Sequence, residues 1–146
     1  MLPFDSITLE RGPCFGFCPS YRLVIEGSGR IRYRNVGDDQ VRTDSVSPEA
    51  VADLGEQAVE AGFYALPDRI IDDPALCSMP ATDHPSVIVS YFGRTSAKTV
   101  DHYTGCSVEG TDSPTHAPAI VRLIALENLI DSTANVVRWQ RQPGSR

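Results

Sequence analysis

Four cysteines carry most of the chemical possibility in this chain: Cys14, Cys18, Cys77 and Cys106. The first two lie in the string Gly12-Pro13-Cys14-Phe15-Gly16-Phe17-Cys18-Pro19-Ser20-Tyr21. Three chemistries fit them. A Cys14–Cys18 disulfide would close a tight loop, with Gly16 relieving the backbone at its tip. Cys77 and Cys106 fall in two long loops, and a bridge there would tie the loops together and stabilise by about 2–4 kcal/mol. Four cysteines allow three pairings, and spacing alone does not choose among them. Alternatively, the Cys14/Cys18 thiolates with the imidazole of His102 or His84 would form a soft donor set for Cu(I) or Zn(II). Thiol-redox work is the third chemistry, and it needs a thiolate favoured by a helix N-terminus or a nearby cation. Arg11 and Arg22 flank the string, but no helix starts there and the Cys-x-x-Cys spacing is absent. The string therefore favours the structural role.

Histidine supplies the other candidates. His84 and His102 each follow an aspartate, Asp83 and Asp101. An aspartate that orients an imidazole can make a general base, as in a hydrolase. That orientation is spatial, however, and neighbours in a strand face opposite sides. His102 is therefore expected at a strand surface or edge, His84 in a loop, and His116 near the start of the last helix. A hydrolase using an Asp-His pair is the weaker alternative, and no Gly-x-Ser-x-Gly elbow accompanies it. No catalytic residue is assigned. Gly27-Ser28-Gly29 joins two strands and opens no helix, so it is a turn rather than a phosphate loop. Asp68, Asp72 and Asp73 lack the glycine and terminal glutamate of an EF-hand and read as a solvated acidic loop. Lys98 is the one lysine beside 12 arginines, and nothing around it marks a Schiff-base nucleophile. Arg30, Arg32 and Arg34 share one face of a strand, with Arg22 and Glu26 beside them on its neighbour. That face either binds an acidic partner or is a solvated surface with cross-strand ion pairs.

These residues need a frame. With 146 residues, 41% of them apolar and 22% charged, the chain has the size and composition of one globular domain with its own core. No stretch approaches the roughly 20 apolar residues that span a bilayer. The formal charge is −6, and all of it falls in the first half: residues 1–73 carry 7 basic and 13 acidic side chains, residues 74–146 six of each. An acidic body repels phosphate backbones, so no nucleic-acid partner is expected.

Alternation of apolar and polar residues predicts strands over 7–10 and 30–34; 21–26, 41–46 after the turn at Gly37-Asp38-Asp39, the strongly apolar run 86–92 and its return 98–103 read as strands as well. Ser47-Pro48-Glu49 is a helix start, with Val51, Leu54, Ala58 and Ala61 forming one stripe and Gly62 stopping it. Residues 63–85, with four prolines, read as a long irregular loop. Residues 119–132 read as a second helix, with Ile120, Leu123, Ile124, Leu126, Leu129 and Ile130 on a broad apolar face. The pattern predicts an α+β fold, an antiparallel sheet of about six strands with two helices packed on one face. Residues 5–133 would form the domain, and 134–146 a basic tail that Trp139 anchors or that frays.

At the cysteine string the chain resembles a bacterial family, domain of unknown function six-four-three-eight. Its members open with a strand, a Cys-Phe/Tyr-Gly-x-Cys-Pro-x-Tyr segment and a hairpin with a glycine turn. The match here is Cys14, Phe15, Gly16, Cys18, Pro19 and Tyr21, with Gly29 in the turn. It continues through Ser47-Pro48-Glu49 and Ala61-Gly62-Phe63-Tyr64 to Asp83 and the last hairpin, over roughly Asp5 to Asp131. The family carries no assigned activity, so the resemblance sharpens the fold and leaves the function open. Many relatives look exported, whereas Met1 to Asp5 has neither the basic nor the apolar region of a secretory signal. A cytoplasmic location follows from that absence, and an extracytoplasmic one from disulfide-bonded cysteines. The Cys-x-x-x-Cys-Pro spacing of Cys14, Cys18 and Pro19 is also similar to that of Sco-type copper-delivery proteins, which add a distant histidine. In those proteins a helix follows, whereas Tyr21 to Glu26 reads as a strand.

The expectation is a non-catalytic binding or structural module with a cysteine-stabilised loop. It needs no cofactor, copper or zinc entering only with the thiolate alternative. Its partner would be a protein or small molecule of unknown identity.

Overall fold

The computed structural model describes residues 5–13, 18–110 and 114–140. Six strands form one antiparallel sheet: β1 (Ser6–Arg11), β2 (Tyr21–Glu26), β3 (Arg30–Asn35), β4 (Arg42–Ser45), β5 (Ser86–Phe92) and β6 (Ala97–Tyr103), in the order β4-β3-β2-β1-β5-β6. Helix α1 (Pro48–Glu60) lies between β4 and β5 in the chain, and α2 (Pro118–Ala134) follows β6. The class is α+β, as the alternation predicts.

The strand β1 sits at the centre of the sheet, paired with β2 on one side and β5 on the other. Its Ile7 and Leu9 are wholly buried, as are Leu23 and Ile25 of β2, Ile31 of β3, Val89 of β5 and Val100 of β6. Period-2 alternation explains this set: each of these residues sits on the same face as its cross-strand partner. That face meets α1 where the buried Tyr91 hydroxyl donates to the Leu54 carbonyl at 2.9 Å. It meets α2 through the side chains of Arg11 and His102, taken up below.

The hairpin between β2 and β3 requires Gly29. Its φ is 101°, and a Cβ there would lie 2.0 Å from the Val46 carbonyl oxygen. In return the Val46 amide donates to the Gly29 carbonyl at 2.8 Å. The hairpin tip is thereby tied to the entry of α1. That helix starts as its sequence specifies: the Ser47 hydroxyl accepts from the Ala50 amide at 3.1 Å and Pro48 occupies the first turn. Val51, Leu54 and Ala58 turn inward. Ala61 caps the far end, and Gly62 leaves the helix left-handed at φ 73°.

The stretch from Phe63 to Pro85 is more ordered than its prolines imply. It holds two 3-10 turns, Phe63–Ala65 and Ile70–Asp72, pinned by the fully buried Phe63 and Ile70. Part of it runs along the outer edge of β6, where the Asp101 amide donates to the Asp68 carbonyl at 2.8 Å. Lys98, only 18% exposed, reaches the Leu66 carbonyl and the Asp68 carboxylate. The lone lysine is thus a strut between loop and strand, and it covers an edge that would otherwise invite pairing. The opposite edge, β4, is four residues long, polar and exposed, with Asp44 paired to Arg138.

After α2 the chain turns at Asn135 and returns to the sheet. The Trp139 ring lies 5.5 Å from that of Tyr33, the Arg138 guanidinium stacks 3.9 Å over the indole, and Asn35 donates to the Trp139 carbonyl at 3.0 Å. Trp139 therefore anchors this segment. Among the described residues no helix is long and apolar enough to cross a membrane.

Candidate functional site

The cysteine segment bridges β1 and β2, and its base is rigid. Arg11 ends β1, Tyr21 begins β2, and the two are direct cross-strand partners. The Arg11 Nε donates to the Tyr21 hydroxyl at 2.9 Å and to Asp131 Oδ2 of α2 at 3.0 Å; its Nη2 donates to the same Oδ2 at 2.8 Å. Burial works against the Arg11 cation, but the Asp131 carboxylate and Tyr21 outweigh it, so the guanidinium holds its proton above its ordinary range. Burial, then the Asp131 charge, push the Tyr21 hydroxyl well up, against the opposing pull of Arg11. The Ser20 hydroxyl closes the base by donating to the Arg11 carbonyl at 3.1 Å.

Cys14 lies outside the described residues. Cys18 is disulfide-bonded and half-buried. It lines a cleft of about 330 Å³ shared with Arg11, Pro19, Thr104, Asn128 and Asp131. Tyr21 to Glu26 is a strand, as expected, so no helix follows Pro19 in the manner of the Sco-type proteins.

The expected surface position of His102 is corrected here. β6 is indeed an edge strand, but the His102 side chain points inward and is 2% exposed. Its Nδ1 lies 2.7 Å from Glu127 Oε2, and Glu127 is itself 3% exposed. The other ring nitrogen, Nε2, is buried without a partner among the described residues. The residue that orients the ring is therefore Glu127 of α2 and not the adjacent Asp101, which points to the other face of the strand. His102 is not among the residues that line the cleft beside Cys18. Among the described residues no group of three or more His, Cys, Asp or Glu side chains could hold a metal ion.

Register connects these features. Asn35 pairs with Tyr21, Tyr21 with Arg11, Arg11 with Val87, and Val87 with His102. One row across the sheet thus carries four polar side chains on its inner face. Glu127 and Asp131 stand one turn apart on α2, above His102 and Arg11 respectively. No sequence motif marks either acid.

The second pair of cysteines does what its loop positions suggest. Cys77 and Cys106 are bonded across a sequence separation of 29, with Cα atoms 4.6 Å apart. Around them the two loops pair: Met79 donates to Ser107 at 3.0 Å and Ala81 to Gly105 at 2.9 Å. Only glycine fits at 105, where a Cβ would lie 2.7 Å from the Ala81 carbonyl oxygen. Among the described residues no cysteine is free. His84 is in a loop with its ring edge-on to Tyr103, and His116 sits two residues before α2, both as expected.

Arg30, Arg32 and Arg34 project together from the outer face of β3, all exposed. Arg30 and Arg32 share Glu26 at 4.0 and 3.8 Å, and Arg22 pairs with Glu10. Arg34 has no carboxylate within pairing distance among the described residues. Arg22, Arg32 and Arg34 border a shallow depression of about 270 Å³ floored by Val24 and Val41.

These elements define a disulfide-containing α+β domain with an antiparallel sheet. The chain belongs to the family described as Domain of unknown function (DUF6438), whose model matches residues 5–119. No curated protein matches it.

Proposed function

We propose that the chain is a non-catalytic binding or structural module whose surface loops are held by two sulfur bridges, Cys14–Cys18 and Cys77–Cys106. One observation carries this reading: the Cys77–Cys106 bridge joins the loops that precede β5 and follow β6, and Cys18 is also committed to a disulfide. Bridged loops present a preformed surface and reduce the ordering cost of binding. Such bridges persist in an oxidising compartment, which supports an extracytoplasmic location. The test is thiol titration of the denatured protein before and after reduction, with elemental analysis of the native protein. No free thiol before reduction, four after, and no stoichiometric metal is the expected result. Two or more free thiols accompanied by zinc or copper would overturn it.

A second reading, a thiol-redox or metal-binding site at Cys14 and Cys18, has one observation in its favour. Cys18 is only half-buried and lines a surface cleft, so its sulfur lies where a reactive cysteine must be reached. Titration in glutathione buffers separates the two readings. A redox bridge opens within the range of that buffer while Cys77–Cys106 stays closed; a purely structural pair resists it.

A further inference from the structure

We infer that the outer face of the β2–β3 ribbon is a docking surface for an extended acidic polypeptide. The inference rests on the binding-module reading above and names the partner of that module. Its first support is charge. This patch holds four guanidinium groups, Arg22, Arg30, Arg32 and Arg34, against two carboxylates, Glu10 and Glu26, on a chain whose net charge is −6. An acidic partner repelled elsewhere on the surface is steered to this face.

The second support is availability. The ion pairs of Arg30 and Arg32 with Glu26 are long, at 4.0 and 3.8 Å, and both arginines remain more than half exposed. Pairs of this kind contribute little, so an incoming carboxylate displaces Glu26 at small cost. Arg34 has no pair to break among the described residues. The third support is spacing. Side chains on one face of a strand recur about every 6.8 Å. The arginines at 30, 32 and 34 form such a row, and Arg22 lies directly across from Arg34. An extended peptide with a carboxylate at every second residue repeats at the same interval. Val24 and Val41, on the floor between the arginines, offer apolar contact to its backbone and side-chain stems.

The experiment titrates the oxidised full chain with two labelled peptides of equal composition. One alternates glutamate and threonine; the other carries its glutamates in one block. Tighter binding of the alternating peptide is expected, falling steeply with ionic strength and weakened about three- to tenfold in an Arg32→Ala/Arg34→Ala variant. Arg122→Ala, on α2, serves as the control and should leave binding unchanged. Equal binding of both peptides, binding indifferent to the double substitution, or no binding at low salt overturns the inference. So does equally tight binding of a single-stranded oligonucleotide, which would mark a general polyanion surface. Self-association of the chain abolished by the same variant would assign the face to a second copy and likewise overturn it. The thiol count above decides the module reading independently, so the two failures are distinguishable.

Discussion

His102 and Glu127 meet inside the domain with Nδ1 and Oε2 2.7 Å apart, one side chain 2% and the other 3% exposed. The pair bolts an edge strand to α2. Removing one partner leaves the other buried and uncompensated, so Glu127→Ala should destabilise the domain by about 3–5 kcal/mol. Replacing both by leucine should recover most of that loss, because a well-packed apolar pair avoids the desolvation cost. Urea unfolding of the two variants with unchanged m-value is the measurement. A Glu127→Ala variant as stable as the parent would show that the contact holds nothing.

Alkaline pH should unfold the protein through its tyrosines. Burial raises the hydroxyls of Tyr21 and Tyr91 above their ordinary range, reinforced by Asp131 for the first and by Tyr64 for the second. A folded-state pKa above the unfolded one means that the native state keeps a proton the unfolded chain has lost. Stability is therefore intact below about pH 10, the unfolded tyrosine value, and declines as pH rises beyond it. Ultraviolet titration should show these two phenols ionising only with global unfolding, and Tyr91→Phe should flatten the decline.

Reduction should cost the fold more than its surface. The Cys77–Cys106 bridge closes a separation of 29 residues, for which chain-entropy arguments give about 3–4 kcal/mol. A Cys77→Ala/Cys106→Ala variant should lose about that much by denaturant unfolding. Hydrogen exchange should then rise first at Met79 and Ala81, whose amides pair with the opposite loop.

Gly29→Ala should be among the most damaging small substitutions. The added methyl would strike the Val46 carbonyl, at 2.0 Å, in a backbone conformation that already disfavours it. A loss of at least about 2 kcal/mol is expected, with helix α1 affected through Val46 and Ser47. Thermal unfolding followed by circular dichroism measures it.

Much of the frame was legible because its signals are local. Alternation, the apolar run at 86–92 and the turn signals between them place all six strands to within a residue or two, and Ser47-Pro48-Glu49 marks the start of α1. Adjacency to Asp101 suggests a surface position for His102, whereas the alternation Val100, His102 puts it on the face of a buried valine. Glu127 was legible in principle: Ile120, Leu123, Glu127, Ile130 and Ala134 recur at steps of three and four, which sets an acid inside the buried stripe of α2. Such an acid demands a partner, and His102 is that partner. The pairing of Arg11 with Asp131, 120 positions away, left no trace of this kind. The choice between three disulfide connectivities likewise depends on which loops fold together, and spacing carries no record of that.

The lock between Arg11, Tyr21 and Asp131 bears on how the connection between β1 and β2 tolerates change. A connection whose two ends are welded to each other and to α2 behaves like a jewel setting: the mount stays while the stone is exchanged. A substitution in this connection that spares Arg11 and Tyr21 should thus leave the strand register on either side unchanged.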